Sequence, residues 1–468
     1  MTEQPMLAGD PSVIQSATFS AEDLQTQIDA RPVGRLQIGI VAMVAIVTML
    51  DGLDLQLGSF AAPLIIREWG LTESQFAPVI AAVMAGMAIG TLVGGWMGDK
   101  IGRRAALVAS VGVFGAATVL CGFADNLSTL VGLRFVGGLG FGAAFPVGTA
   151  LLVEWVPRRS ASRAIAFLTI GIPVGGLIGA TISSVLLPVI GWRNTFIIFG
   201  LAPIVYAGIL ATFLPESPVY LLQRGKRDAV SRLLQKAWRS SMNFGASDAV
   251  VGQPDAQGDL AGDVGRWGGV RLNASLWAAF FFQNVITYAI VGWVPVVLVG
   301  LSLPLSTAIR GLLVWNLFGI AGSFVASFLI VRRGTRQTMM LLAALGSLSG
   351  LLLAAFTFNA SPANASFVGV TYVGLALLGI GVGSLQTSLF TLAAHVYDAR
   401  IRSRGVGIAS MFGRLGGVAS AFAIGALLSV GSKPSYFMLI GVVFAIVLIC
   451  AALVNRHVPR IVTASRPR

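Results

Sequence analysis

Residues 436–454 read YFMLIGVVFAIVLICAALV, nineteen positions in a row without a charged side chain. A helix needs about 20 such residues, at about 1.5 Å each, to cross the roughly 30 Å hydrocarbon core of a bilayer. Working outward from this stretch, the same reading recurs along the 468-residue chain. Spans are predicted at 36–62, 76–97, 104–124, 128–154, 163–188, 193–214, 274–300, 307–331, 337–357, 365–395, 405–429 and 435–455. Helices are the only spanning form compatible with runs of that length, because lipid offers no partner for an open backbone group. The composition agrees, with 56% hydrophobic and 11% charged residues against roughly 25% charged in a soluble domain. An ordinary soluble enzyme is thereby excluded. The expected fold class is all-α integral membrane, with twelve transmembrane helices.

The net charge of +13 reports topology. Of 32 Lys and Arg residues, 26 fall in the termini and in alternate loops, so both termini are expected on the cytoplasmic side. Nucleic acid is not an expected partner. The longest polar interval, 215–272, divides the chain into an N-terminal segment 1–35, a six-helix half 36–214, a central cytoplasmic loop, a second six-helix half 273–455 and a tail 456–468. Glu3, Asp10, Glu22, Asp23 and Asp29 make the first 35 residues unlike a signal peptide, and no cleavage is expected. That segment is expected to be mostly disordered, although Ser20, Asp23, Leu24 and Ile28 suit a short amphipathic helix. Gly98–Arg104 is echoed by Val331–Arg336, and Arg163, Gly175 and Gly176 by Arg404, Gly416 and Gly417. Duplicated six-helix halves are a transporter signature, with the substrate near the midplane between them. Cys121 and Cys450 lie far apart and His395 and His457 are the only histidines, so neither a disulfide framework nor a metal site is indicated. No phosphate-binding GxxxxGK[ST] segment occurs, and no cofactor is expected beyond a coupling ion.

Charges inside the spans demand a reason, since each costs at least about 2.5 kcal/mol near the bilayer centre. Asp51 and Asp54 are three apart in span one and share a helix face. Counted from Leu36 at about 1.5 Å per residue, they lie roughly 22 and 27 Å in, and Arg134 of span four reaches the depth of Asp51. Two acids facing one base leave a negative charge in excess, and the inexpensive resolution is for one acid to hold an exchangeable proton. A fixed buried ion pair between Arg134 and one Asp is the plainer alternative. Arg414, roughly 14 Å deep in span eleven, has no acid on its own span. Its planar fork suits a carboxylate, or else the carbonyls freed at a kink among Gly413, Gly416 and Gly417. Among aromatic and polar residues of the spans, Tyr288, Trp293 and above all Gln386 are the expected lining. Phe135, Phe141, Phe145 and Phe280–Phe282 read as packing. Glycine rows in span four (137, 138, 140, 142) and span five (171, 175, 179) permit close helix approach, while Pro146 and Pro173 mark bends.

Gly94-Gly95-Trp96-Met97-Gly98-Asp99-Lys100-Ile101-Gly102-Arg103-Arg104 resembles the signature loop of the major facilitator superfamily, and Pro215-Glu216-Ser217-Pro218 resembles a motif after span six in its symporters. Within that superfamily the chain is similar to the aromatic acid:proton symporters. The similarity rests on Asp51-Gly52-Leu53-Asp54, on Arg134 through Pro146 with Glu154, on Gly292-Trp293-Val294-Pro295, and on Arg402–Gly407 leading to Gly413-Arg414-Leu415-Gly416. Leu53 and Gly292 depart from the family pattern, where aromatic and polar residues are common. The resemblance implies proton-coupled import of benzoate-like acids, such as 4-hydroxybenzoate, protocatechuate or vanillate, by a monomer in a bacterial inner membrane. It implies proton coupling at Asp51 and Asp54 and substrate contact at Arg134 and Arg414. Asp99, Arg103 and Arg104 are expected to pair as a cytoplasmic gate, extended by Glu154 with Arg158, Arg159 and Arg163. Rival readings are a symporter for a sugar or a non-aromatic acid, a proton-coupled drug exporter and a non-transporting receptor; an enzyme is disfavoured because no nucleophile–base set appears.

Overall fold

The computed structural model describes residues 21–238, 269–359, 365–397, 402–431 and 433–458, and among these every regular element is a helix. In chain order they are α1 (Ala21–Asp29), α2 (Arg35–Trp69), α3 (Glu73–Ile101), α4 (Arg103–Cys121), α5 (Leu127–Trp155), α6 (Arg158–Phe213), α7 (Pro218–Gln223), α8 (Arg227–Trp238), α9 (Val270–Gly300), α10 (Leu305–Asn359), α11 (Ala365–Val396), α12 (Arg402–Val430) and α13 (Lys433–Leu453). Ten are long and apolar enough to cross a membrane. Leu92, Val189 and Phe213 are more than 70% exposed on the outside of the bundle, as a lipid-facing surface requires.

The ends follow from local chemistry. Thr72 caps α3 by accepting from the Gln75 amide at 3.3 Å, and Gln75 returns its side-chain oxygen to the Thr72 amide at 2.8 Å, a reciprocal capping box. Asn126 caps α5 through the Thr129 amide at 2.8 Å. α6 and α10 run for 56 and 55 residues, about 80 Å if straight, which exceeds twice the apolar thickness of a bilayer. Each is broken at one glycine, Gly191 (φ 75°) and Gly334 (φ 76°), a left-handed conformation that a Cβ disfavours. The predicted spans 163–188 and 193–214, and likewise 307–331 and 337–357, are thus joined through a kinked glycine with hardly any loop.

Within the first half α2 crosses α6 so closely that a Cβ on Gly52 would fall 1.9 Å from the Ile172 carbonyl oxygen, and one on Gly175 1.8 Å from that of Met49. This backbone-on-backbone contact fixes which face of α2 carries the two acids. Between the halves, α3 packs on α12, α6 on α10 and α2 on α9. Polar links accompany this packing at the end of the bundle opposite the termini. Lys433 pairs with Glu73 at 2.5 Å, and Ser429 accepts from the Ser74 amide at 2.9 Å. Deeper in, Gln56 and Asn316 exchange amide hydrogen bonds of 3.1 and 3.0 Å.

Two stretches depart from the sequence reading. Within the segment expected to be mostly disordered, residues 21–29 form α1, where Asp23, Leu24 and Ile28 suited a short amphipathic helix, and the loop expected at 215–272 carries α7 and α8. The reason is mutual burial: Leu24 and Ile28 of α1 pack with Leu222, Val230 and Leu234, so the apolar face of α1 is covered by the loop helices. Glu3, Asp10 and Ser20, the interval 239–268, the side chains of Arg402–Arg404 and residues 459–468 lie outside the described residues.

Candidate functional site

The acids of α2 and the arginine of α5 meet in the interior. Arg134 donates from Nη1 to Asp54 Oδ2 at 3.1 Å and from Nη2 to the Asp54 carbonyl at 3.3 Å, with the Phe196 ring 5.7 Å from its Cζ. Both partners of this pair are nearly inaccessible, at 3% and 1% exposure. The sequence matched Arg134 to the depth of Asp51; the structure pairs it with Asp54 instead, one helical turn further along. Asp51 is buried beside them, and its Oδ1 has no hydrogen-bond partner; Arg134 Nε is likewise unpartnered.

A small cavity opens next to this pair. Its wall is one stripe from each of three helices, joined by Arg134: Leu55, Gly58 and Ser59 of α2; Val79, Ile80, Val83 and Met84 of α3; and Tyr288, Val291 and Gly292 of α9. The spacings i, i+3, i+4 on α2 and α9 are those of a single helix face, and the α2 stripe continues the face of Asp51 and Asp54. The cavity holds about 20 Å³, room for roughly one water, so the halves are closed around it. Arg414 lies on α12 behind Tyr288, close enough for the two to interact electrostatically, and its Nη1 is buried without a partner. α12 reaches α9 there through glycine, since a Cβ on Gly417 would fall 2.6 Å from the Tyr288 ring.

Two expected lining residues fall elsewhere. Trp293 is fully buried but points toward α12, where its ring lies 3.3 Å from the position of a Cβ on Gly425; one residue past Gly292, it turns off the cavity face. Gln386 is half-buried on α11, which packs chiefly on α10 and does not border the cavity. Among the buried amides, Gln283 donates to the Val382 carbonyl at 3.0 Å and Gln56 and Asn316 pair with each other. Phe141 stacks on Phe114 at 4.5 Å and Phe280 meets Phe390 edge-on at 5.2 Å, both as packing. Ser59 was missed by the sequence reading; its signal was a hydroxyl on the α2 stripe one turn beyond Leu55.

At the end bearing the termini, Gly102 (φ 103°) alone separates α3 from α4. Arg103 bridges Asp99 at 2.7 Å and Glu154 at 3.3 Å. Arg104 does not join that pair: its side chain donates to the Ala211 carbonyl and its amide to Glu216 Oε1 at 2.9 Å. The extension of Glu154 to Arg158 and Arg163 is also corrected. Arg158 turns to Asp29 of α1, 2.6 Å from its amide and 3.6 Å from Nε, Arg159 donates to the carbonyls of Asp29 and Arg31 at 2.6 Å, and Arg163 is exposed. The α1 segment thus supplies the acceptors for Arg158 and Arg159, while Glu154 pairs with Arg103. The echoed loop is clasped in the same way. Thr335, beside Gly334, donates its amide to the Val458 carbonyl at 3.1 Å, and its Oγ1 accepts from the Val458 amide at 2.9 Å and meets His457 Nδ1 at 3.3 Å. Burial pushes the His457 imidazole below the usual histidine range.

The Major Facilitator Superfamily profile matches residues 44–364 and 312–467. The chain is 31% identical over 435 residues to the 4-hydroxybenzoate transporter PcaK of Acinetobacter baylyi, covering 90% of this chain and 91% of that protein. It is 30% identical over 443 residues to the gallate transporter of Pseudomonas putida, covering 93% and 95%. Among solved structures it resembles that of a D-xylose-proton symporter, with a TM-score of 0.70 at 16% identity, over 91% of this chain and 98% of that one.

Proposed function

This chain belongs to the Major Facilitator Superfamily, a multi-pass membrane transporter, and from that premise we propose that it imports small aromatic carboxylic acids together with protons. The observation that carries the reading is a pair of arginines with buried donors left over, Arg134 Nε in the wall of the cavity and Arg414 Nη1 beside its Tyr288, where the rest of the wall is apolar apart from Ser59 and Tyr288. A carboxylate satisfies such donors with charge-assisted hydrogen bonds, and an aromatic ring fills an apolar slot that closes around it. The transport of 4-hydroxybenzoate and of gallate by similar proteins supports the same class. Asp51, which has no ion pair among the described residues, carries the proton, while Asp54 stays with Arg134. Counting α6 and α10 as two crossings each gives twelve, with both termini cytoplasmic by the distribution of Lys and Arg, in a bacterial inner membrane and as a monomer. Alternating access then proceeds by rocking of the halves about the cavity.

The test is uptake of labelled 4-hydroxybenzoate into proteoliposomes under an imposed pH gradient. Accumulation that a protonophore abolishes is the expected result; no accumulation of any aromatic acid, with uptake of a sugar or an aliphatic acid in the same vesicles, would overturn it. Arg414→Ala should weaken binding of the acid by tenfold or more, since it removes a charged hydrogen bond worth about 1.5–3 kcal/mol. An unchanged dissociation constant in that variant would remove Arg414 from the site.

A further inference from the structure

Buried hydroxyls in this protein are spoken for almost everywhere. Of the six tyrosines, five donate to a protein acceptor: Tyr206 to the Met43 carbonyl at 2.9 Å, Tyr220 to Lys100 at 3.3 Å, Tyr372 to Thr307 at 2.8 Å, Tyr436 to Ala289 at 3.0 Å and Tyr397 to Asn273 Oδ1 at 2.9 Å. Tyr288 has no such bond among the described residues, and it lines the cavity. Most buried serines and threonines of the spans have an acceptor, either the carbonyl one turn back, as for Ser110, Ser275, Thr371 and Ser388 at 2.7–2.8 Å, or a carbonyl of another helix, as for Ser384 and Ser420 at 2.7 and 2.9 Å. Ser59, only 4% exposed, forgoes that bond and also lines the cavity. Ser183 forgoes it too, but away from the wall.

Three polar side chains therefore face this cavity, Arg134, Ser59 and Tyr288, amid apolar neighbours. Two of the three are already assigned. Tyr288 belongs to the second half, beside Arg414, which lacks an acid partner and is the stronger attractor of a carboxylate; Arg134 already gives two of its donors to Asp54. Ser59 belongs to the stripe of the first half, on α2. A ring whose carboxylate is drawn to Tyr288 and the neighbouring Arg414 on the second half leaves its other edge to the first-half stripes. Resting on the aromatic-acid reading above, we propose that Ser59 is a specificity-determining residue that hydrogen-bonds a ring hydroxyl opposite the substrate's carboxylate. A site that keeps a hydroxyl free for this purpose disfavours the analogue without a partner for it, because the buried group is then left unsatisfied. The remaining wall offers no group for a hydroxyl next to the carboxylate.

The experiment is equilibrium competition against labelled 4-hydroxybenzoate on the full-length purified protein, with unlabelled 4-hydroxybenzoate, 2-hydroxybenzoate and benzoate as competitors, for the wild type, Ser59→Ala and Ser59→Thr. Binding needs no proton gradient, so failure of the coupling assignment leaves this test intact. The wild type should prefer 4-hydroxybenzoate to the other two by about tenfold, the worth of one buried hydrogen bond. Ser59→Ala should erase that ratio by weakening 4-hydroxybenzoate more than benzoate, and Ser59→Thr, which keeps the hydroxyl, should retain it. Equal losses for all three acids in Ser59→Ala would make Ser59 a packing residue and overturn the proposal, as would a wild type that does not distinguish 4-hydroxybenzoate from benzoate. If the wild type binds none of the three, the aromatic-acid reading itself falls and this proposal with it.

Discussion

Asp51 and Asp54 share one helix face, yet the fold treats them differently. Asp54 holds both a side-chain and a backbone bond to Arg134, and removing that arginine would leave a buried carboxylate uncompensated, a loss of about 3–5 kcal/mol. Asp51 has no cation of its own, so its proton is the one the protein can exchange without breaking a structural pair. Asp51→Asn is therefore expected to abolish accumulation driven by a pH gradient while leaving substrate counterflow in place. Both are read in the same proteoliposomes, and accumulation at the wild-type level would move the proton elsewhere. The sequence could name the three residues but not the pairing. A depth counted at about 1.5 Å per residue from an assumed start carries an error of a few residues, and Asp51 and Asp54 are only three residues apart.

At the scale of helices, the glycine rows were legible because small residues at fixed spacing have few other uses in a membrane, and the α2–α6 crossing shows what they permit. Gly52 and Gly39 lie on the same helix, but a Cβ on Gly52 would strike the Ile172 backbone whereas one on Gly39 meets nothing within 4 Å. Gly52→Ala should therefore lower the melting temperature of the detergent-solubilised protein by several degrees, as overpacking of about 1–3 kcal/mol does. Gly39→Ala should leave it unchanged or raise it slightly, since Ala favours a helix by about 0.5–1 kcal/mol over Gly. The clasps on the two echoed loops were not legible, because they use carbonyls, amides and one imidazole far apart in sequence. In the second clasp Oγ1 of Thr335 accepts from the Val458 amide and meets His457 Nδ1, and Nε2 donates to the Val454 carbonyl at 3.0 Å. Burial of the ring disfavours its charged form. With the docked pKa below the free one, the undocked tail binds more protons, so docking is fully stable above about pH 6.5 and weakens as the pH falls below it. Hydrogen exchange at the Val458 amide, corrected for its intrinsic rate, should accelerate between pH 7 and pH 5. A flat profile would mean that His457 does not govern docking.

At the scale of the whole molecule, the described polar links between the halves gather at the end away from the termini, around Glu73–Lys433, Ser74–Ser429 and Gln56–Asn316. At the other end Arg103, Glu154, Asp29 and Arg158 tie helices of the first half to one another. On the proposed cytoplasmic placement of the termini, this is a conformation closed toward the outside, and the links differ in what they contribute. Glu73 and Lys433 keep 20–24% side-chain exposure, and such a pair is worth no more than about 1 kcal/mol, a factor of about five in a two-state balance. Gln56 and Asn316 are 3% and 2% exposed, so taking away one partner strands a buried amide at about 1–3 kcal/mol. Asn316→Leu should accordingly shift the population toward outward opening more than Glu73→Gln does. A cysteine placed on the cavity wall by Val79→Cys reports this through labelling with a membrane-impermeant maleimide from outside, against a background in which Cys121 and Cys450 are buried. The expected order of labelling rates is Asn316→Leu above Glu73→Gln above the parent. Equal rates in all three would mean that apolar packing of α3 on α12 and α2 on α9 closes the outer end unaided, and that the amide couple only sets the register of the halves.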